Sequence, residues 1–215
     1  MPASNPESNA KAGSPVAPRK RPRPGERRVQ ILQTLAGMLE QPGADRVTTS
    51  ALAAKLEVSE AALYRHFASK AQMFEGLIEF IESSIFSLLN QIVERPGAGQ
   101  AQAQKIISVL LQFGERNPGM TRVMVGDALV YENERLVLRM NQFFDRVESS
   151  LRQVLRVAAE AKGSATPTVD ANAQASVLVS FIIGRLQRYA RSGFKRMPSE
   201  QLDAALRMLA GDSPG

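Results

Sequence analysis

Residues 47–70 read VTTSALAAKLEVSEAALYRHFASK, and this stretch decides the fold. Thr48 or Thr49 can cap a short helix, because a hydroxyl in that position accepts a hydrogen bond from a free backbone N–H group. Ser59 can cap a second helix in the same way. The apolar residues of both segments recur at helical spacing and so predict one core: Leu52, Ala53, Leu56, Leu63 and Phe67. Two short helices joined by a tight turn make a helix-turn-helix, a motif whose second helix enters the DNA major groove.

Outside this stretch, apolar residues also recur at helical spacing, and no segment shows the sustained alternation of a β-strand. A long helix is predicted to begin after Lys70 and to end at Glu94. The other predicted helices cover residues 27–40, 101–116, 120–130, 132–161, 170–191 and 199–210. The sequence therefore predicts an all-α protein with about nine helices.

The first part of the chain differs in composition from the rest. Residues 1–25 are rich in Pro, Ser, Asn and Gly and predict a disordered arm, because they have too few bulky apolar residues to offset the entropy of ordering. Seven of the first 28 residues are basic and two are acidic, so this part carries +5 of the net charge of +6. An arm of this kind can reach the DNA minor groove, raise affinity by counterion release, or serve only as a solubilising tail.

Composition also narrows the function classes. The chain has no cysteine and one histidine, His66, so we expect no disulfide, no metal site, no cofactor and no catalytic centre. No apolar run is expected to span a bilayer, and no signal segment is seen at the start of the sequence. We therefore expect a cytoplasmic protein that does not enter a membrane.

The helix-turn-helix resembles that of the TetR family of bacterial regulators, through the capped helix pair and the ending Leu63-Tyr64-Arg65-His66-Phe67 with Lys70. This resemblance implies an N-terminal three-helix domain, residues 26–70, and a larger C-terminal helical dimerisation and partner-binding domain, residues 71–211. It also implies a homodimer that binds double-stranded, palindrome-like DNA.

The same resemblance implies which residues bind DNA. The contacts at or near base edges would come from Ser50, Glu60, Ala61, Ala62 and Tyr64. The phosphate contacts would come from Thr48, Thr49, Arg65, His66 and Lys70. The chemistry agrees, because hydroxyls and cations bind phosphates while short side chains let a helix approach the bases. For Lys70, the alternative is a role confined to the start of the next helix.

Glu57 departs from the family pattern, which usually has glycine at the turn between the two helices. A left-handed backbone costs a non-glycine residue roughly 1 kcal/mol. The turn is therefore expected to be either slightly strained or differently shaped.

Within the TetR family, the chain resembles the nucleoid occlusion factors over roughly residues 27–197. The match is carried by residues 59–82, by residues 113–136 with the sequence FGERNPGMTRVMVGDALVYENERL, and by LRQVLR at 151–156. In those proteins a DNA-bound dimer captures the tubulin-like division protein FtsZ and disrupts its polymers.

On matching positions, the resemblance implies an FtsZ-binding surface made of Phe80, Arg116 and Asn117, with Val109 and Gln112 as weaker neighbours. Each residue also has a purely structural interpretation: Phe80 as part of an apolar cluster, Arg116 as a complement to a helix dipole, and Asn117 as a shaper of the turn before Pro118.

The helices predicted at 132–161 and 170–191 are the best candidates for self-association, since two long amphipathic helices from each chain can form a four-helix bundle. The alternative is that both stripes are buried within one chain. For the function as a whole, the alternative to an FtsZ inhibitor is a ligand-responsive TetR-type transcriptional repressor.

Overall fold

The computed structural model describes residues 25–41 and 46–209. Within these ranges the chain folds into nine α-helices and one short 3-10 helix. The predicted arm, apart from Gly25, lies outside the described residues. The helices are α1 (Glu26–Leu39), α2 (Thr49–Lys55), α3 (Glu60–Tyr64), α4 (Lys70–Glu94), α5 (Gly99–Arg116), α6 (Pro118–Met124), α7 (Glu134–Ala161), α8 (Pro167–Arg191) and α9 (Leu202–Leu209).

Helices α1, α2 and α3 form the small N-terminal unit. Their apolar faces meet around Ile31, Leu35, Leu52, Leu63 and Phe67, all of which are buried. Helix α4 leaves this unit and enters the larger body, where it packs against α5, α6 and α7. Because α4 contributes buried residues from Met73 through Leu89, a single continuous helix joins the two parts.

The body is dominated by the antiparallel pair α7 and α8, which contact each other more extensively than any other two helices described. Helix α7 has 28 residues, so it is about 42 Å long at 1.5 Å per residue. Its buried stripe recurs every three or four residues, from Leu136 through Phe143, Val147 and Leu151 to Leu155. The all-α class and the long amphipathic helices of the sequence prediction are confirmed.

The prediction of one helix over residues 120–130 was wrong. Helix α6 ends at Met124, and a separate 3-10 helix covers Asp127–Leu129. Gly126 lies between them with a φ of 84°, a left-handed conformation that cannot continue an α-helix. The last helix also begins later than predicted, at Leu202, because Gln201 adopts a φ of 54°.

The expectation that no helix is apolar enough to cross a bilayer also needs correction. By length and composition alone, α4 meets that requirement. Core helices of soluble proteins pass the same test, and α4 buries eight side chains against its neighbours. Its apolar character is therefore explained in part by packing, although Phe80 and Leu88 remain exposed on it.

Candidate nucleic-acid interface and partner surface

Hydroxyl caps begin both helices of the motif. Thr48 Oγ1 accepts a hydrogen bond from the Ala51 amide at 3.2 Å, and Ser59 Oγ accepts one from the Ala62 amide at 3.2 Å. Each bond satisfies one of the free N–H groups of a helix start. Of the two candidate caps for the first helix, Thr48 takes the role and Thr49 is the first helical residue.

The turn between α2 and α3 has the left-handed backbone. Glu57 has a φ of 54°, its amide donates to Ala54 O at 3.1 Å, and the Val58 amide donates to Ala53 O at 3.0 Å. These two bonds form a Schellman motif, which normally places glycine at the position of Glu57. Of the two expectations for this turn, the slightly strained one is correct.

The outer surface of the motif carries most of the residues predicted to bind DNA. Tyr64 has 44% of its surface exposed, and Ser50, Thr48, Ala61, Glu60 and Arg65 are also exposed. Thr49, Ala62, His66 and Lys70 are half-buried, whereas Leu63 and Phe67 point into the core. Of the ten residues predicted to bind DNA, six are therefore exposed and four are half-buried.

Thr49 and Glu60 are linked across the motif. Thr49 Oγ1 donates a hydrogen bond of 2.7 Å to Glu60 Oε2, so the start of α2 is joined to the start of α3. The bond holds one carboxylate oxygen of Glu60 in place. This pairing was not foreseen, because the two residues are eleven positions apart and no local pattern connects them.

Arg28 supports the segment that follows α3. Its Nη1 donates to the carbonyl oxygen of His66, and its guanidinium carbon lies 4.1 Å from the centre of the Phe67 ring. A cation over an aromatic face is attracted by the ring quadrupole. Arg28 therefore belongs to the folded unit, although the sequence pattern suggests only one more charge in a basic segment.

Lys70 starts α4 and contacts the body of the protein. Its Nζ forms an ion pair with Glu132, which precedes α7, and lies 5.7 Å from the centre of the Phe74 ring. The two charged side chains are 23% and 9% exposed, respectively. This ion pair therefore links the start of α4, next to the N-terminal unit, to the segment that precedes α7 in the body.

Further ion pairs run along α4 and α7. Glu75 pairs with Arg135 at 2.7 Å, and Glu82 receives two hydrogen bonds from Arg139, at 3.1 and 2.7 Å. The hydrogen bond to Glu82 raises the pKa of Arg139 above its ordinary value. Together with Lys70 and Glu132, these pairs fix the two helices side by side in parallel.

The residues predicted to bind a protein partner lie along α4 and α5. Phe80 is 48% exposed, Gln112 and Arg116 are exposed, and Val109 is half-buried. Gln102 Nε2 donates to Ile92 O and to Arg95 O, each at 2.8 Å, which sets the antiparallel register of the two helices.

A surface cleft of about 310 Å³ separates α4 from α5 and includes two of these predicted residues. It is lined by Leu88, Gln91, Ile92, Arg95, Lys105, Ser108, Val109 and Gln112. Its floor is apolar, and both of its basic residues are exposed. The cleft can therefore accommodate an apolar segment that carries negative charge.

Asn117 has a structural role. Its Nδ2 donates to Phe113 O at 2.8 Å, and its backbone leaves the helical region at φ −134° and ψ 68°, consistent with the clash that disfavours helical residues before a proline. It ends α5, and Pro118 begins α6 at the first helical position. These roles in the fold explain the asparagine at this position without a partner contact. Its half-buried side chain leaves room for such a contact as well.

Comparison with known proteins identifies the family of this chain. The sequence model described as "Bacterial regulatory proteins, tetR family" matches residues 31–77, and that described as "Tetracyclin repressor-like, C-terminal domain", SlmA-like, matches residues 100–212. The nucleoid occlusion factor SlmA of Aliivibrio fischeri is 49% identical over 190 residues, which cover 88% of this chain and 96% of that protein. SlmA of Vibrio cholerae is 49% identical over 185 residues, which cover 86% of this chain and 94% of that protein.

The chain belongs to the SlmA family of nucleoid occlusion factors. SlmA proteins are part of the TetR family, so the chain is a DNA-binding protein and not an enzyme. The resemblance seen in the sequence is thereby confirmed.

Solved structures agree on the fold. The regulator FadR from Bacillus halodurans has a TM-score of 0.69 with 14% identity, covering 90% of this chain and 97% of that chain. FadR from Bacillus subtilis, solved with stearoyl-CoA, has a TM-score of 0.68 with 13% identity, covering 86% and 99%. At such low sequence identities, the comparison shows that this chain has the same fold as these regulators. It gives no information on ligands.

Proposed function

We propose that this protein is a DNA-associated inhibitor of cell division that binds specific chromosomal DNA and FtsZ together and disrupts FtsZ polymers over the nucleoid. The observation that carries the proposal is the open surface between α4 and α5. Val109 and Gln112 line it, while Phe80 is exposed on α4 and Arg116 is exposed at the end of α5. Helix α4, which forms one side of this surface, starts directly after the DNA-binding motif. The protein would act in the cytoplasm, on the nucleoid.

For DNA binding, we propose that α3 reads the major groove through Glu60, Ala61, Ala62 and Tyr64, with Ser50 nearby. Thr48, Thr49, Arg65, His66 and Lys70 bind phosphates. The exposure of Tyr64 and Arg65 supports a DNA-facing role for this surface, and Arg28 holds the segment just after α3 through its bond to His66 O. Phosphate contacts position the protein, whereas base contacts select the sequence.

We propose that the functional unit is a homodimer in which α7 and α8 pair with their counterparts. Helix α8 supports this pairing, because a row of small and apolar side chains remains exposed along it. The row consists of Val169, Ala173, Ser176, Val177 and Ser180. A two-fold dimer places two recognition helices on successive half-sites, which implies a palindrome-like DNA site.

For FtsZ binding, the apolar floor and basic rim of the α4–α5 cleft favour an apolar, acidic segment of the partner. Leu88, Ile92 and Val109 provide the apolar contacts. Arg95 and Lys105 provide the charge, and Arg116 extends the surface at the end of α5. Burial of apolar side chains supplies most of the affinity of such contacts, and the charges orient the partner.

The deciding experiment is sedimentation of FtsZ assembled with GTP, in the presence of this protein with and without its DNA site. We expect less FtsZ in the pellet when protein and DNA are present together. Arg116→Asp should abolish this effect and leave DNA affinity unchanged, while Arg191→Asp, an equal charge change at the exposed end of α8, should behave as wild type.

Unchanged FtsZ pellets with protein and DNA would refute the FtsZ function. That result would favour the alternative, a ligand-responsive transcriptional repressor, whose DNA affinity should then fall when a small apolar ligand binds. Equal loss of DNA binding and FtsZ inhibition in Arg116→Asp would indicate misfolding instead of the loss of a partner contact.

A further inference from the structure

Lys70 has two competing anions once DNA is bound in the way proposed above. One is the phosphate that the DNA interface assigns to it. The other is the carboxylate of Glu132, which already pairs with its Nζ. The Lys70 side chain is 23% exposed, so it is not closed off from solvent.

We propose that Glu132, which lies outside the helix-turn-helix, is a positioning residue of the DNA interface and lowers DNA affinity by competing with a phosphate for Lys70. The inference rests on the proposed phosphate contact of Lys70. It adds to that proposal a residue 62 positions away in the sequence, in the segment between the 3-10 helix and α7.

Electrostatics determine the direction of the effect. The ammonium group has three donors but a single charge, so the carboxylate paired with it weakens its attraction for a second anion. The same carboxylate repels an approaching phosphate. Because Lys70 is partly neutralised before DNA arrives, its contact should release less than one counterion from the duplex.

Glu132 is held where it can compete. Its side chain is 9% exposed, and its backbone amide donates to Leu129 O at 3.0 Å in the turn that follows the 3-10 helix. A carboxylate in this position has little freedom to turn toward solvent. Since binding couplings are reciprocal, a phosphate on Lys70 must weaken the Lys70–Glu132 pair to the same extent that the pair weakens DNA binding.

The test is a double-mutant cycle in the full-length protein, with DNA affinity measured by fluorescence anisotropy at several salt concentrations. The probe is a duplex selected by the wild-type protein from random sequences. Glu132→Gln should raise affinity about three- to tenfold at low salt and steepen the dependence of log K on log salt by up to about one. In a Lys70→Ala background, Glu132→Gln should give no gain.

Two further variants separate competition from a general charge effect. Glu82→Gln removes an equal charge from the Glu82–Arg139 pair, which joins α4 to α7, and should change DNA affinity less than twofold. Glu132→Asp retains the charge and should keep the wild-type salt dependence. Thermal unfolding of each variant shows whether it is folded.

An equal gain from Glu132→Gln with and without Lys70 would overturn the inference, and so would a loss of affinity in a folded Glu132→Gln protein. Failure of the proposed function looks different. In that case the wild-type protein selects no duplex, or Lys70→Ala binds as tightly as wild type, before Glu132 is changed at all.

Discussion

Gly119 lies against the backbone of Ala36, so closely that a Cβ atom on residue 119 would stand 2.0 Å from the Ala36 carbonyl oxygen. Ala36 belongs to α1 of the N-terminal unit, and Gly119 is the second residue of α6, immediately after the turn at Arg116 and Asn117. The segment beside the proposed partner surface therefore rests directly on the DNA-binding unit. Only a residue without a side chain allows this approach.

We expect Gly119→Ala to destabilise the protein by about 1–3 kcal/mol, because the added methyl group forces α6 away from α1. Thermal unfolding of the purified protein measures the change. Gly37→Ala is the matched control: Gly37 lies in α1 with open space where its Cβ would be, so alanine should be neutral or stabilise by up to about 1 kcal/mol. Equal stability of Gly119→Ala and wild type would contradict the close contact.

A pair of substitutions at Glu57 isolates the cost of the left-handed turn. Glu57→Gly and Glu57→Ala both remove the carboxylate, but only alanine keeps the Cβ atom that makes a φ of 54° costly. The glycine variant should therefore be more stable than the alanine variant by about 1 kcal/mol in urea unfolding. The order would reverse in a regular helix, so a more stable alanine variant would show that the turn is not left-handed in solution.

Arg28 gives a test of the support for the segment that follows α3. Arg28→Met removes the bond to His66 O and the contact with the Phe67 ring, and we expect a loss of about 1 kcal/mol of stability together with weaker DNA binding. Arg27→Met removes the same charge but only a local bond to Gln30, so its stability should change by less than about 0.5 kcal/mol. Identical DNA affinities of the two variants would mean that Arg28 acts through its charge alone.

Local features of the fold could be predicted from the sequence. Hydroxyl caps and apolar spacing depend on residues within one or two turns, so the start of α3 after Ser59 and the long stripe of α7 follow from the sequence itself. The family motif in turn identifies the outward residues of α3, such as Tyr64. Both kinds of signal are independent of how distant helices pack.

Contacts between distant segments could not be predicted in the same way. Lys70 with Glu132, Glu82 with Arg139, and Gly119 with Ala36 each join residues more than 50 positions apart. Nothing in either local sequence distinguishes these residues from solvated charges or ordinary helix glycines. The break at Gly126 was missed for a related reason, since a single glycine within an apolar run is also tolerated inside a helix.

The last prediction concerns the exposed row of α8, where we propose that the homodimer forms. Val177 is 52% exposed within one chain and lies in the middle of that row. Val177→Glu would place a charge at the centre of the proposed interface, where desolvation of a charge costs several kcal/mol, so we expect mainly monomers in sedimentation velocity. DNA affinity should fall with dimer content, because one recognition helix alone reaches one half-site. Val130→Glu changes a valine that is 68% exposed before α7 and should leave the dimer intact. A Val177→Glu protein that remains dimeric would place the interface elsewhere.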